Sequence, residues 1–215
     1  MEVLKPLPTK GKLFASAKVA GFHDKGTGAL VEFETKVTDE AGEEVVRLVN
    51  GEFFRGIDVL GDIGYFDDAG VTYSQKVPIP DRPPDFAVER PIPNNAAHIY
   101  RLSGDFLPHH IDPASAQRVG YDRVILHGLC TFGYISGSLL TALCGNDVRR
   151  FSKIKMRFAA PVFMGEMLKV EAWHDEHHSG PGGRVIFQVR ARERNEVVVN
   201  SAYFEYHNAD VASRL

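Results

Sequence analysis

The chain has 215 residues, of which 44% are hydrophobic and 25% charged, a composition typical of a globular protein that buries a core. Its net charge of −3 gives no basis for binding nucleic acid or an anionic membrane, so we expect neither partner. This length suits one large domain or two small ones.

The N-terminal part predicts a run of antiparallel strands. Apolar residues alternate with polar ones, and turn signals rich in Asp and Gly occur at residues 24–26 and 39–42. We therefore predict strands at residues 12–21, 28–38 and 44–54, the last two forming a long hairpin.

The middle of the chain differs in composition, because Gly, Asp and Pro dominate residues 55–85. We interpret this stretch as a linker or a long loop, with ordered structure resuming at residues 86–100. Asp112 followed by Pro113 is typical of a helix start, with Asp as the N-cap and Pro at the first helical position. Gly120 is expected to end that short helix.

A longer helix is predicted at residues 128–144, where apolar residues cover nearly the whole circumference. Such a helix is expected to be surrounded by other structure. Four strands are predicted after it, at residues 151–157, 168–174, 184–192 and 196–207. One buried helix followed by antiparallel strands indicates an α+β fold with a sheet curled around the helix.

Both cysteines, Cys130 and Cys144, fall in that long helix. At a rise of ~1.5 Å per residue they would be roughly 21 Å apart, beyond the reach of a disulfide. A reducing intracellular compartment is therefore expected. Glycines and polar side chains within residues 125–146 favour a buried helix over a membrane span.

Two segments near the N-terminus resemble two segments near the C-terminus, which predicts an internal repeat. Residues 31–37 match 185–191, and residues 45–54 match 197–204, so each half closes with the same hairpin. The first unit has far fewer residues before its hairpin, and we expect it to lack a counterpart of the long helix. The predicted domains are an incomplete N-terminal repeat at 1–60, a linker at 61–85, a catalytic repeat at 86–208 and a tail at 209–215.

The stretch at residues 103–113 concentrates acid–base side chains beside buried surface. Asp105 and His110 are five residues apart, and Pro108 between them disfavours helix at Leu107. We therefore place the pair on a loop, where a carboxylate and an imidazole can converge on one water as acid and base. The alternative is a capping aspartate and a surface histidine in a polar turn.

A metal site is the main chemical rival, because carboxylates and imidazoles also bind zinc. The candidate ligands are His109, His110, Asp112 and His127. Adjacent histidines point in different directions, and no HExxH or CxxC spacing accompanies them, so we expect no metal. We interpret His127 as a structural residue at the start of the long helix.

The same region resembles a known family. Residues 100–105 (Tyr-Arg-Leu-Ser-Gly-Asp), Pro108, His110 and Asp112-Pro113 resemble the hydratase 2 motif, as do Ile-Leu-His-Gly-Leu-Cys at 125–130. Residues 157–166 are also similar. The motif belongs to the MaoC-like (R)-specific enoyl-CoA hydratases, and the likeness extends to their two-repeat, eukaryotic peroxisomal form. The resemblance implies a double hot-dog fold with an incomplete first repeat.

The resemblance also implies an activity, the reversible hydration of trans-2-enoyl-CoA to (3R)-3-hydroxyacyl-CoA in fatty-acid β-oxidation. Asp105 and His110 would be catalytic, and the Gly128 backbone N–H would stabilise the charge that develops on the thioester oxygen. The alternative for Gly128 is a glycine required by packing. CoA is part of the substrate, so no separate cofactor is expected.

Substrate contacts follow from the same resemblance, which assigns them to Lys25, Phe106, Leu107, Pro108, His109 and Phe158. The basic side chains at 153, 155 and 157 could also meet phosphates, although a solvated strand face is favoured. Leu107 stands where the family has Asn, and His109 where it has Leu. The apolar side chain at 107 should weaken water positioning, so two alternatives stay open: a non-catalytic acyl-CoA-binding protein, or a dehydratase acting on another acyl thioester.

The last three residues, Ser213, Arg214 and Leu215, are similar to a peroxisomal targeting signal. We therefore expect a peroxisomal location and binding to the import receptor. Hot-dog units commonly pair to cover their sheet edges, which predicts a homodimer.

Overall fold

The computed structural model describes residues 1–56 and 75–209. The chain forms two compact units, which divide between Lys76 and Val77. This division lies in the stretch predicted as a linker. The assignment of the two units to hot-dog repeats stays a prediction.

The N-terminal unit is an antiparallel sheet with the strand order β2-β3-β4-β1. Its strands are β1 (Glu2–Val3), β2 (Phe14–Asp24), β3 (Gly28–Thr38) and β4 (Glu44–Arg55). The predicted turn closes β2 onto β3, with the Gly26 N–H donating to Asp24 Oδ1 at 2.7 Å. The three long predicted strands are thus confirmed, with β2 shifted towards the turn.

The C-terminal unit holds the helices and a five-stranded antiparallel sheet in the order β6-β9-β8-β7-β5. Three α-helices precede most of its strands: α1 (Ala96–Tyr100), α2 (Pro113–Arg118) and α3 (Gly128–Cys144). The strands are β5 (Phe86–Pro91), β6 (Phe151–Phe158), β7 (Met167–His174), β8 (Gly183–Ala191) and β9 (Glu196–Tyr206). The elements predicted in this half are confirmed to within a few residues.

The core of the C-terminal unit lies between α3 and the sheet. Ile135 and Leu139 of the helix are fully buried, together with Val170, Phe187 and Phe204 of the strands. Burial of such side chains contributes about 1.5–3 kcal/mol each. This packing fixes the axis of α3, and therefore the position of its N-terminus.

One expectation about α3 is wrong in part. Gly133, Gly137 and Thr141 form an exposed stripe along the helix, so its burial is not complete. The reason is that the sheet covers the side of α3 that carries Ile135 and Leu139. The glycines made the opposite side look apolar without adding a side chain that needs burial.

The predicted helix start at α2 is confirmed. The Asp112 side chain accepts hydrogen bonds from the backbone N–H groups of Ala114 and Ser115, both at 3.1 Å. These bonds and that from the Ser115 hydroxyl lower the pKa of Asp112, and Gly120 follows the helix with φ of 89°. Asp112 therefore serves as a cap rather than as a metal ligand.

The hairpin β3–β4 shares a detail with β8–β9 that supports the predicted repeat. A Cβ atom on Gly28 would lie 2.1 Å from the Phe54 carbonyl oxygen, and one on Gly182 would lie 2.1 Å from the Tyr206 carbonyl oxygen. Both hairpins thus bring a glycine against the partner strand at the same place. This close approach excludes any larger residue at either position.

A charged cluster closes the loop between β6 and β7. Glu166 is 5% exposed and accepts hydrogen bonds from Arg194 Nε at 2.7 Å and from the Phe163 backbone N–H at 3.0 Å. Arg123 also contacts Glu166, at 3.3 Å. The guanidinium groups of both arginines lie over the Phe163 ring, at 3.8 and 4.7 Å from its centroid.

Both cysteines are free and buried, as expected. Among the described residues, no helix has the length and apolar character needed to cross a membrane.

Candidate active site

The loop between α1 and α2 brings the predicted acid–base pair together. A 3₁₀ turn at Pro108–His110 presents His110, and Leu107 before it has an extended conformation (φ −55°, ψ 125°), as expected before proline. One carboxylate oxygen of Asp105 and one ring nitrogen each of His110 and His127 all lie within 4.8 Å of one another. The prediction that Asp105 and His110 converge therefore agrees with the geometry.

The His110 ring has a defined protonation pattern. Its Nδ1 lies 2.8 Å from the Ile125 carbonyl oxygen, and since a carbonyl only accepts, Nδ1 carries the hydrogen. The neutral ring then has a lone pair on Nε2. His110 is 5% exposed, so this lone pair is a base inside a largely dehydrated site.

Asp105 is half-buried, and its neighbours hold it from two sides. The Leu107 backbone N–H donates to Oδ1 of Asp105 at 3.2 Å, and His127 Nε2 donates to the Asp105 carbonyl oxygen at 3.2 Å. The apolar side chain of Leu107 is 54% exposed and cannot add a side-chain hydrogen bond. Leu107 thus supports the Asp105 carboxylate through its main chain alone.

His127 lies closer to the acid–base pair than its position at the start of α3 indicates. It is the N-cap residue of α3, as interpreted, but its side chain makes no capping hydrogen bond. The ring is instead 1% exposed and stacks on His110, with 3.6 Å between centroids and 22° between planes. Tyr100 packs on it at 4.8 Å. In the sequence, the position of His127 between apolar residues and a glycine is the feature that indicates a buried ring.

Burial lowers the pKa of each histidine around the site. It is the main cause for His109, His110 and His127, whose pKa values lie below the ordinary 6.5. The like charge of a protonated neighbouring histidine lowers each value further, while Asp105 partly offsets the effect. All three rings are therefore uncharged at neutral pH, as a base at His110 requires.

This protonation pattern predicts a pH-dependent stability. Below pH 6.5 the histidines of the unfolded chain bind protons that the native histidines do not yet bind. The free energy of unfolding therefore decreases as the pH is lowered. The fall should end once the pH has passed the lowered native pKa values. Urea unfolding midpoints from about pH 8 to about pH 5 measure this. His110→Gln removes one of the three contributions and should give a shallower slope, whereas equal slopes would contradict the assignment.

Gly128 lies at the exposed start of α3, next to His127. The first N–H groups of a helix have no partner within it, and the helix dipole adds positive potential there. A Cβ atom on Gly128 would lie 3.6 Å from the Phe158 ring, which is an ordinary contact. Packing against the described residues therefore does not require glycine at this position, which argues against the packing alternative.

An open depression of about 790 Å³ borders the site. It is lined by Tyr100, Ser103, Gly104, Asp105, Phe106, Leu107, Pro108 and Leu129. Phe106, Leu107 and Pro108, three of the predicted substrate contacts, thus lie along it.

The other predicted substrate contacts lie elsewhere. His109 makes a tilted contact with the His110 ring, at 4.1 Å between centroids. Phe158 lies beside Gly128. Lys25 is an exposed residue of the β2–β3 turn in the N-terminal unit. The roles assigned to these side chains stay predictions.

The histidine arrangement is unfavourable for a metal ion. Asp105, His110 and His127 form a cluster with three possible ligand atoms. The two imidazole planes are nearly parallel, so their in-plane lone pairs run side by side rather than towards one point. His110 Nδ1 and His127 Nε2 are also engaged with backbone carbonyls. The absence of a metal stays a prediction.

Comparisons with known proteins agree with the motif. A family model described as a MaoC like domain matches residues 75–197, and one described as the MFE-2 hydratase 2 N-terminal domain matches residues 1–56. The chain is 38% identical over 209 residues to the peroxisomal multifunctional enzyme type 2 of Mus musculus, which covers 95% of this chain and 26% of that protein. It is 35% identical over 208 residues to the peroxisomal enoyl-CoA hydratase 2 of Arabidopsis thaliana, covering 93% of this chain and 64% of that protein.

A solved structure gives the same answer for the fold. The MaoC-like dehydratase from Phytophthora capsici matches with a TM-score of 0.83 and 39% sequence identity, over 97% of this chain and 70% of that chain. The chain is shorter than all three of these relatives. Because one family model matches more than half of its residues, and a solved relative agrees in sequence and structure, the chain belongs to the MaoC-like family and has its hot-dog fold.

Proposed function

We propose that this chain catalyses the reversible hydration of trans-2-enoyl-CoA to (3R)-3-hydroxyacyl-CoA. One observation carries the proposal: the Asp105 carboxylate and the His110 imidazole converge within 4.8 Å, next to the residues that start α3. The relatives named as peroxisomal enoyl-CoA hydratase 2 and multifunctional enzyme type 2 support the same reaction.

The site chemistry follows from the hydrogen-bond pattern. The Asp105 carboxylate and His110 Nε2 hold one water by accepting its two hydrogens. As the water oxygen bonds to the β-carbon, one of its protons passes to Asp105 or His110, and the electrons of the double bond move towards the thioester oxygen. The two side chains then return a proton to the α-carbon, so that the net change is the addition of one water.

The thioester oxygen becomes negatively charged during this addition, and Gly128 is the proposed donor to it. Its N–H stands at the positive end of the α3 dipole. A hydrogen-bond donor placed where charge develops typically lowers the activation barrier by about 2.7–4 kcal/mol. The missing side chain lets the carbonyl approach the backbone.

Replacing Gly128 with alanine should separate activity from stability. The methyl group obstructs the thioester, and we expect kcat to fall by up to about 10²-fold. Stability should stay equal or rise, because alanine is the better helix former by up to ~1 kcal/mol. Steady-state kinetics and thermal unfolding measure both. Gly133→Ala, on the exposed stripe of α3, is the matched control and should leave kcat unchanged.

The function itself is tested with crotonyl-CoA. Loss of the enoyl thioester absorbance reports turnover, and a (3R)-specific dehydrogenase reports the configuration of the product. Turnover to the (3R) product supports the proposal. Tight enoyl-CoA binding without turnover would instead support the non-catalytic acyl-CoA-binding alternative, for which the apolar Leu107 side chain is the specific observation. Turnover only of other acyl thioesters would support the dehydratase alternative.

The proposal extends to location and assembly. The peroxisomal relatives support a peroxisomal location. The targeting tripeptide Ser213–Leu215, expected to bind the import receptor, lies outside the described residues. Fusion of a fluorescent protein to the N-terminus, with and without that tripeptide, tests its role. A homodimer is proposed from the exposed edges of hot-dog sheets, and light scattering that gave the mass of one chain would contradict it.

A further inference from the structure

The His127 side chain has a feature that a purely structural histidine would lack. Its Nδ1 is buried and has no hydrogen-bond partner among the described residues, although buried polar groups are normally paired. The ring is 1% exposed, so this position could hold an apolar ring without any orphaned nitrogen. The choice of histidine is therefore explained by what its other nitrogen and its faces contact.

Two contacts of the His127 ring join it to the acid–base pair. Because the Asp105 carbonyl oxygen can only accept, Nε2 of His127 carries the hydrogen of their 3.2 Å bond. One face of the ring covers His110 at 3.6 Å, and Tyr100 packs against it at 4.8 Å. The His127 ring thus contacts both the main chain of Asp105 and the face of the His110 ring.

Among the described residues, Asp105 has few other restraints, whereas the His110 ring is also held by a buried hydrogen bond from its Nδ1. Asp105 lies in a loop, and its other described hydrogen bond joins Oδ1 to the Leu107 N–H. His110 has its Nδ1 bond to Ile125 and the tilted contact with His109. Without His127, the Asp105 main chain would lose its anchor to α3, and the His110 ring would lose the flat surface that sets its plane.

We propose that His127 is a positioning residue, which holds the Asp105 main chain and the His110 ring in the relative geometry that water activation needs. This inference rests on the proposed hydratase function. The charged and titratable groups around the two stacked rings are Tyr100, Arg101, Asp105, His109 and Cys130.

Two substitutions separate the contacts of His127. His127→Phe keeps a stacked ring and loses the donor, whereas His127→Gln keeps a donor near the Nε2 position and loses the stack. A displacement of about 1 Å at reacting groups can cost about 10²-fold in rate. We expect kcat to fall by about that factor in the Phe variant and by less in the Gln variant, with KM nearly unchanged in both. His177→Gln, in an exposed loop, is the control and should match the wild type.

A second readout does not depend on turnover. A protonated His127 is one cause of the low pKa of His110, so its removal should move the His110 titration to higher pH. NMR titration of the histidine rings in the Phe variant measures this, and in an active enzyme the acid limb of kcat/KM should move in the same direction. A loss of packing would also raise the His110 midpoint, because burial is the main cause of its low pKa, but it would do so in the Gln variant, which loses the stack, and not in the Phe variant, which keeps it.

The two proposals fail in different ways. If the wild type does not hydrate crotonyl-CoA, the proposed function fails, and the NMR titration still decides the role of His127. If the wild type is active and both variants keep its kcat, or the His110 titration is unchanged, the positioning role is wrong. Circular dichroism of each variant restricts the comparison to folded protein.

Discussion

Replacing Asp105 with asparagine is expected to lower kcat/KM for crotonyl-CoA by about 10²–10⁴-fold, the usual contribution of a positioned acid or base. The amide cannot take a proton from water at neutral pH. Stability should hardly change, because the side-chain oxygen of asparagine can still accept the 3.2 Å bond from the Leu107 N–H. Steady-state kinetics and urea unfolding of the same preparation measure the two effects.

The double variant Asp105→Asn/His110→Gln sharpens this expectation. If both groups act on one water, the second substitution should cost much less than it does alone, because residues that act as a unit are not additive. Full additivity would show that they act on separate steps. Asp81→Asn, an exposed aspartate outside the site, is the control and should keep wild-type kinetics.

The elements that the sequence predicts well are those with local causes. Asp112 and Pro113 mark the start of α2 by their own chemistry, and Gly120 marks its end. Alternating patterns predicted the long strands for the same reason. None of these assignments depends on residues distant in the chain.

The strand β6 shows a case in which the pattern within one strand does not predict the placement of a side chain. The alternation of residues 151–158 predicts Phe158 on the same face as Ile154. The structure has a register shift between Lys155 and Arg157, and Phe158 is 45% exposed beside Gly128. That shift depends on pairing with β9, which no pattern within β6 reveals.

The site follows the same division. Spacing and Pro108 place Asp105 and His110 on one loop, and the resemblance to the hydratase 2 motif is what favoured an acid–base pair over a polar turn. The contacts of His127 with Tyr100 and His110 join three separate segments, so no local pattern predicts them. The main-chain support that Leu107 gives to Asp105 was also invisible, since only its side chain differs from the family pattern.

The largest expected loss of stability comes from Glu166, whose carboxylate is 5% exposed. Glu166→Ala removes the acceptor for the Phe163 N–H and one of the two carboxylates that pair with the quarter-exposed Arg194 side chain, which keeps its contact with Glu196. Breaking a buried ion pair by removing one partner typically costs about 3–5 kcal/mol, which is the upper limit here because Arg194 keeps Glu196. The effect should reach the site, because the neighbouring Val162 carbonyl accepts the Leu126 N–H at 2.7 Å, one residue before His127.

Urea unfolding measures this loss, and two further variants define its origin. Glu166→Gln keeps the shape and an acceptor for Phe163, so its cost should be clearly smaller than that of alanine. Glu89→Ala breaks the exposed pair with Arg192 and should change little, since exposed pairs contribute little. If Glu166→Ala lowered the free energy of unfolding no more than Glu89→Ala, the Glu166 cluster would not stabilise the fold. The loop that carries Leu126 would then have to be held by backbone packing alone. We expect the opposite order because the Glu166 carboxylate is shielded from the water that would otherwise replace its partners.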